Sequence, residues 1–192
     1  MDNAIRINHN QIPQLKNMGH IKPGPRWIHP DRVLDYHDFL YIVKGTFLVW
    51  EQETEYVLHG GDILFLKAGL HHFGNKKDSD DVEWYYVHFY LEESPPPLQT
   101  LEENFPLNDS VVFNDPAQIV LPKYFSIPLH MRAQIIGHLD LLLNVYWHQG
   151  TFRSFILNMR LLELLVNISE IKQHSVFGDK QNNHAYRLKM YL

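Results

Sequence analysis

Between about residues 26 and 91 the apolar residues come in short runs, stopped every ten residues or so by Gly, Pro, Asp or Asn. "FLYIVKG" and "TFLVWE" flank Gly45, "EYVLHG" leads to Gly60-Gly61, "DILFLKAG" ends at Gly69, and "EWYYVHFYL" follows the polar stretch "NKKDSDD". The runs are rich in Val, Ile, Phe, Tyr and Trp, so the pattern predicts strands of an antiparallel sandwich or small barrel. The glycine pair before Asp62 suits a tight turn that needs positive φ. "EESPPPLQT" stops regular structure, and "SVVFND" and "QIVLP" are expected to add one or two strands or connections.

From Pro128 the spacing becomes helical, with Met131, Ile135, Leu139, Leu142 and Tyr146 on one stripe. Gly150 and Thr151 read as a C′ glycine and the N-cap of a second helix, "FRSFILNMRLLELLVNISEIKQH". So short a connection makes the helices antiparallel neighbours. The second helix carries Phe155, Met159, Leu162 and Val166 on one stripe and Leu161, Leu164, Leu165 and Ile168 on another. That apolar face is wider than a surface helix needs, so one side is expected against its own domain and the other against a second copy. Leu161, Leu164, Leu165 and Ile168 are the predicted dimer interface. Near the end, Ala185, Leu188 and Leu192 open an amphipathic helix too short to stand alone, as at the start of a further domain.

Composition narrows the function classes. A length of 192 residues suits one large domain, or one with a small appendage, and 45% apolar with 13% aromatic residues supply a core. A formal charge of −5 argues against nucleic-acid binding by this stretch, because phosphate contact needs a basic face. With no cysteine, disulfides, thiolate zinc sites and cysteine nucleophiles are excluded. No leader opens the chain and no apolar run reaches membrane-span length, so the expectation is a soluble, cytoplasmic protein with no membrane contact.

"GGDILFLKAGLHHFGN" resembles the second half of a cupin metal motif, and counting from Gly69 puts His72 on the ligand position. The first half fails: the carboxylate position is Asp38, but the preceding ligand positions fall near Arg32 and Leu34, and His37 is misplaced. No metal is expected. Nucleophile elbows and phosphate-binding glycine loops are missing too, and the acidic residues lie mostly in polar runs such as "DSDD". Strand alternation in "EWYYVHFYL" sets Trp84, Tyr86, His88 and Tyr90 on one face and Tyr85, Val87, Phe89 and Leu91 on the other. Rings with a hydrogen-bonding tip suit a sugar, which offers C–H patches rimmed by hydroxyls. Core aromatics satisfied by backbone are the plainer alternative; convergence with His71 or His72 favours a pocket.

In their order, "HDFLYIVKG", "GGDILFLKAGLHHFG", a polar insert, "WYYVHF" and the paired helices resemble the effector-binding domain of AraC-type transcription regulators. The resemblance covers roughly residues 20–192. It implies a mainly β fold with C-terminal helices: a metal-free, cupin-like antiparallel barrel (jelly roll) followed by an αα-hairpin. Such a barrel binds a small effector, often a carbohydrate, and forms a homodimer through its helices. DNA would be met only through a helix-turn-helix domain missing from this chain, for which "HAYRLKMYL" resembles the lead-in.

On this resemblance residues 1–25 are an N-terminal arm of the kind that closes over the ligand, with Ile5, Ile7, Ile12 and Leu15 as candidate packing residues. Residues 26–127 form the barrel, 128–175 the helix pair, and 176–192 a linker with the start of the DNA-binding domain. Trp27 and Arg32 lie where arm-proximal contacts are expected, and Tyr86 matches a pocket position. The expected ligand-binding set is Trp27, Arg32, Tyr41, His71, His72, Trp84, Tyr86 and His88. Aligning the paired histidines selects His71, counting from Gly69 selects His72, and alternation lets one of them point inward. No catalytic residue, cofactor or metal is expected. A small metal-dependent cupin enzyme, an isomerase or dioxygenase, is the competing reading; a dimerisation module with a filled barrel is the third.

Overall fold

The computed structural model describes residues 4–8, 11–22, 27–91 and 118–188, with side chains through residue 173 except 118. The expected break at "EESPPPLQT", the segment "SVVFND" and the side chains of the C-terminal stripe lie outside the described residues. Eleven strands are described: β1 (Ile5–Asn8), β2 (Gln14–Ile21), β3 (Arg32–Val33), β4 (His37–Lys44), β5 (Thr46–Glu51) and β6 (Thr54–His59), then β7 (Asp62–Leu66), β8 (His71–Phe73), β9 (Glu83–Tyr90), β10 (Gln118–Leu121) and β11 (Tyr124–Ser126). Helices α1 (Arg132–Trp147) and α2 (Arg153–Leu188) follow.

A five-stranded sheet runs in the order β11-β7-β4-β9-β2, a four-stranded sheet in the order β3-β8-β5-β6, and β1 pairs with β10. Every described pairing is antiparallel. The result is an antiparallel barrel with a helical hairpin. The five-stranded sheet is covered on both faces, which is why all five residues of β7, "DILFL", are buried. Its inner face sends Leu40, Ile42, Leu64 and Trp84 against Phe47, Val49 and Leu58 of the other sheet. Its outer face sends Phe39, Tyr41, Phe65 and Val87 against Ile135, Leu139 and Leu142 of α1 and the leucines of α2. Gly61, in the turn between β6 and β7, sits at φ +96°, in the left-handed region expected of the glycine pair.

Three expectations are corrected here. Leu161, Leu164, Leu165 and Ile168 are each 0% exposed, sunk into the core between the sheet and α1, so none of them is free to meet a second copy. The solvent side of α2 carries Phe155, Ile156 and Met159 instead, with Phe155 66% exposed. Both stripes are apolar; the barrel took the one whose leucines interdigitate with its outer face, and a helix has only one side to give it.

The second correction concerns the arm. Residues 5–8 form β1, paired with β10 so that Ile5 lies opposite Leu121 and Ile7 opposite Ile119. Ile5 and Ile7 are buried in the helix-side core, while β2 hydrogen-bonds along β9 and is docked to α2 by the Leu15 amide donating to Asn158 Oδ1 at 2.9 Å. Within the described residues these are sheet strands, and Ile5, Ile7 and Leu15 do pack, against the helix-side core and not over the cavity. Third, α2 continues to Leu188, through the boundary expected at residue 175. Among the described residues no helix is long and apolar enough to cross a membrane.

Candidate functional site

Alternation along β2, β9 and β4 stacks three cross-strand rows on the inner face of the barrel: Asn17–His88–Asp38, Gly19–Tyr86–Leu40 and Ile21–Trp84–Ile42. The rows grade from polar to apolar. Between them and the segment 27–32, which contributes Trp27, His29, Pro30 and Arg32, lies a cavity of about 350 Å³. Volumes of this order hold small ligands. Trp27 closes the apolar end against Trp84, ring centroids 5.7 Å apart. At the polar end the rings of Tyr36 and Tyr86 flank His88 at 4.7 and 4.8 Å. Gly19 makes this possible, since a Cβ there would stand 2.6 Å from the Tyr86 ring.

β3 and β8 decide between the two histidines. They pair so that Arg32 faces His72 and Val33 faces His71. His72, 1% exposed, points inward; His71 points out to solvent and pairs with Asp31 at 2.7 Å. Arg32 Nε donates to His72 Nε2 at 3.1 Å. Because that arginine nitrogen can only donate, His72 Nε2 accepts, which fixes a neutral ring with its proton on Nδ1. Arg32 Nη2 reaches Asp38 Oδ2 at 3.4 Å, and His88 Nε2 shares the same oxygen at 3.3 Å.

Of the expected set, Trp27, Arg32, Trp84, Tyr86 and His88 line the cavity together. His72 stands behind the lining, in contact with Arg32 and with its ring 5.2 Å from that of His29. His71 is outside, and Tyr41 is on the helix side of β4, because odd positions of that strand face the helices. Sequence reasoning missed His29, Tyr36 and Asn17 as lining residues, and it saw Asp38 only as a failed metal position. The sole signal for Tyr36 and Asn17 was parity with Asp38 and with β9.

Several buried polar atoms here have no hydrogen-bond partner among the described residues: Asn17 Oδ1, Trp27 Nε1, His29 Nε2, Asp38 Oδ1 and His88 Nδ1. Buried polar atoms are ordinarily paired, so such a concentration around one cavity marks a place built to meet polar groups. The set mixes donors, as at Trp27, with acceptors, as at Asp38. Among the described residues there is no group of three or more His, Cys, Asp or Glu able to hold a metal. The donor set explains why: the nitrogen His72 would offer a metal is already taken by a guanidinium, and a permanent cation there repels another.

Burial pushes the His29 imidazole down to about 3, with His72, Arg32 and His88 adding to the effect. Burial likewise holds His37, on the helix side, down at about 4. An unfolded histidine takes its proton near 6.5, so the contribution of these two rings is complete above that pH and is lost as pH falls towards 3–4. Asp78, hydrogen-bonded through Oδ1 to the Leu48 amide at 2.7 Å, opposes them: burial pushes it up to about 6. Its contribution is complete below its ordinary 3.8 and is lost as pH rises through 6. Two rings against one carboxyl leave a net loss on acidification. His29→Gln should reduce the slope of stability between pH 6 and 4 by up to about 1.4 kcal/mol per pH unit. Urea midpoints across that range measure it, and an unchanged slope would exclude His29 as a source.

The fold and the site define an antiparallel barrel with a cavity on its inner face. Residues 18–101 match the model of the AraC-like ligand binding domain. The chain is also similar to the uncharacterized HTH-type transcriptional regulator YisR of Bacillus subtilis, 34% identical over 61 residues. That match covers 32% of this chain and spans about a fifth of the regulator, 21% of its length. Among solved structures, a putative mannose-6-phosphate isomerase from Ralstonia eutropha is 17% identical over 42% of this chain and 84% of its own, with a TM-score of 0.33. An RmlC-like cupin family protein from Methanocaldococcus jannaschii, with a double-stranded β-helix fold, is 17% identical over 46% and 81%, also at 0.33.

Proposed function

We propose that the chain is the effector-sensing part of an AraC-type transcriptional regulator, binding a small carbohydrate in the barrel without a metal. The observation that carries this reading is the cavity itself: aromatic walls at one end, and buried donors and acceptors without partners among the described residues at the other. A monosaccharide presents stacking C–H faces and hydroxyls that both donate and accept, which is the complement of that lining. The negative charge of the chain agrees with DNA contact by a separate helix-turn-helix domain of the full regulator.

Strand β9 supplies a route from cavity to helices. Trp84, Tyr86 and His88 face the cavity, while Tyr85, between them, donates from its hydroxyl to Asp140 of α1 at 2.5 Å. A ligand that shifts β9 therefore acts on α1, by as much as its affinities for the two arrangements differ.

A thermal-unfolding screen against monosaccharides, run with and without chelator, tests the reading. A bound sugar at a hundredfold excess over its Kd should stabilise by about 2.7 kcal/mol. Stabilisation that chelator abolishes would turn the reading towards a metal-dependent cupin enzyme, and a flat screen would remove the carbohydrate.

The homodimer moves to the exposed stripe of α2. Phe152, Phe155, Ile156 and Met159, with Trp147 beside them at the end of α1, form an apolar face on the solvent side of the hairpin. Phe155→Glu is expected to leave the circular dichroism spectrum unchanged and halve the mass in light scattering. An unchanged mass would place the interface elsewhere.

A further inference from the structure

We infer that the cavity selects an uncharged ligand and rejects acidic sugars and other anions, because Asp38 cancels the charge of Arg32 inside it. This deepens the effector reading and rests on it. Arg32 is the one permanently charged cation among the described lining residues, and at first sight it invites a carboxylate or phosphate. Its geometry says otherwise. Nε is committed to His72 and Nη2 to Asp38, whose side chain is 2% exposed.

Arg32 keeps further N–H donors on Nη1, but an incoming anion that reached the guanidinium would lie beside the buried Asp38 carboxylate and compete with it for the same charge. Two like charges in contact in a desolvated site is the arrangement that folded proteins avoid. Among the described residues the surroundings offer no substitute cation. His72 is neutral by its acceptor role towards Arg32, and His88 spends its Nε2 on the same Asp38 oxygen. Lys16, whose ammonium lies 3.8 Å above the Tyr36 ring, is paired with Asp35 at 3.6 Å. Neutral hydroxyls meet none of these objections. One can donate to Asp38 Oδ1, which has no partner, while Oδ2 stays with Arg32.

The test uses the domain, Asp38→Asn, and the double variant Asp38→Asn/Arg32→Gln at fixed ionic strength and neutral pH. The probes are sulfate and the pairs glucose–glucuronate and galactose–galacturonate, followed by tryptophan fluorescence and thermal midpoint. The unaltered protein should show no saturable response to sulfate or to either uronate. Any neutral hexose that binds should do so at least about tenfold more tightly than its uronate. Asp38→Asn keeps the shape of the side chain but exposes the arginine charge, so sulfate should now bind saturably, and Arg32→Gln should abolish that response.

A uronate or sulfate bound by the unaltered protein as tightly as the neutral sugars would overturn the inference. So would a folded Asp38→Asn that gains no anion response. If Asp38→Asn does not fold, the comparison in the unaltered protein decides alone: a bound anion refutes the inference, and rejection of every anion upholds it. If no sugar binds but sulfate appears in Asp38→Asn, the charge balance stands and the carbohydrate reading falls.

Discussion

Leu165→Glu is expected to unfold the domain, not to separate two folded copies. Leu165 is 0% exposed among Leu161, Leu164, Leu139 and the outer face of the five-stranded sheet. Removing the leucine forfeits about 2 kcal/mol of burial, and an unpaired carboxylate in an apolar site adds a desolvation cost of several kcal/mol more. Against a total stability of about 5–15 kcal/mol for a domain of ordinary size, the sum leaves little folded protein. Leu165→Ala, which introduces no charge, should cost about 2–5 kcal/mol and remain folded. Circular dichroism and urea denaturation separate the outcomes. A folded, monomeric Leu165→Glu would mean that the leucine stripe is accessible, contrary to the packing described here.

Lys123→Met should destabilise the barrel by about 3–5 kcal/mol, because it strips the partner from a buried carboxylate. Glu51, at the end of β5, has a side chain 2% exposed, and its ion pair with Lys123 bridges the four-stranded sheet to the edge of the five-stranded one. The other Glu51 oxygen accepts the Lys67 amide at 2.7 Å, and Phe65 donates its amide to the Lys123 carbonyl at 3.0 Å. The pair thus closes one end of the barrel. Burial pulls the Lys123 ammonium below its ordinary range, and Glu51 is what opposes that. Pairing Lys123→Met with Glu51→Gln should cost less than the two single changes summed, since neither then leaves a lone buried charge. Strict additivity in urea unfolding would show that the two groups are not coupled.

The barrel was legible because β pairing leaves a local mark. The runs around Gly45, Gly61 and Gly69 became β4 to β7 as expected, and the two faces of "EWYYVHFYL" became a cavity wall and a helix-facing wall. The short strands β3 and β8 are two and three residues long, too brief for a periodicity, yet their pairing settles His71 against His72. His29 was not legible at all: "WIHPDR" carries no pattern, and the ring reaches the site because Gly74 lets the chain pass within 2.6 Å of where a side chain would begin. Asp38 was noticed for the wrong chemistry. Its spacing matched a metal carboxylate, but Arg32 from another strand took it as a partner.

By itself the sequence determined strands β4 to β7 and β9, the two helices, which residues share a face within them, and that one of two adjacent histidines could turn inward; those follow from backbone periods of 2 and 3.6 residues, properties of neighbours in the chain. Only the tertiary structure decided which face meets which. Two apolar stripes on α2 are equivalent in sequence, and the choice between them was made by the shape of a sheet assembled from residues a hundred positions away. The same holds for the site: the Arg32–Asp38 charge balance depends on strands brought together by pairing, and electrostatics in a desolvated cavity answers to distance in space, not to separation along the chain.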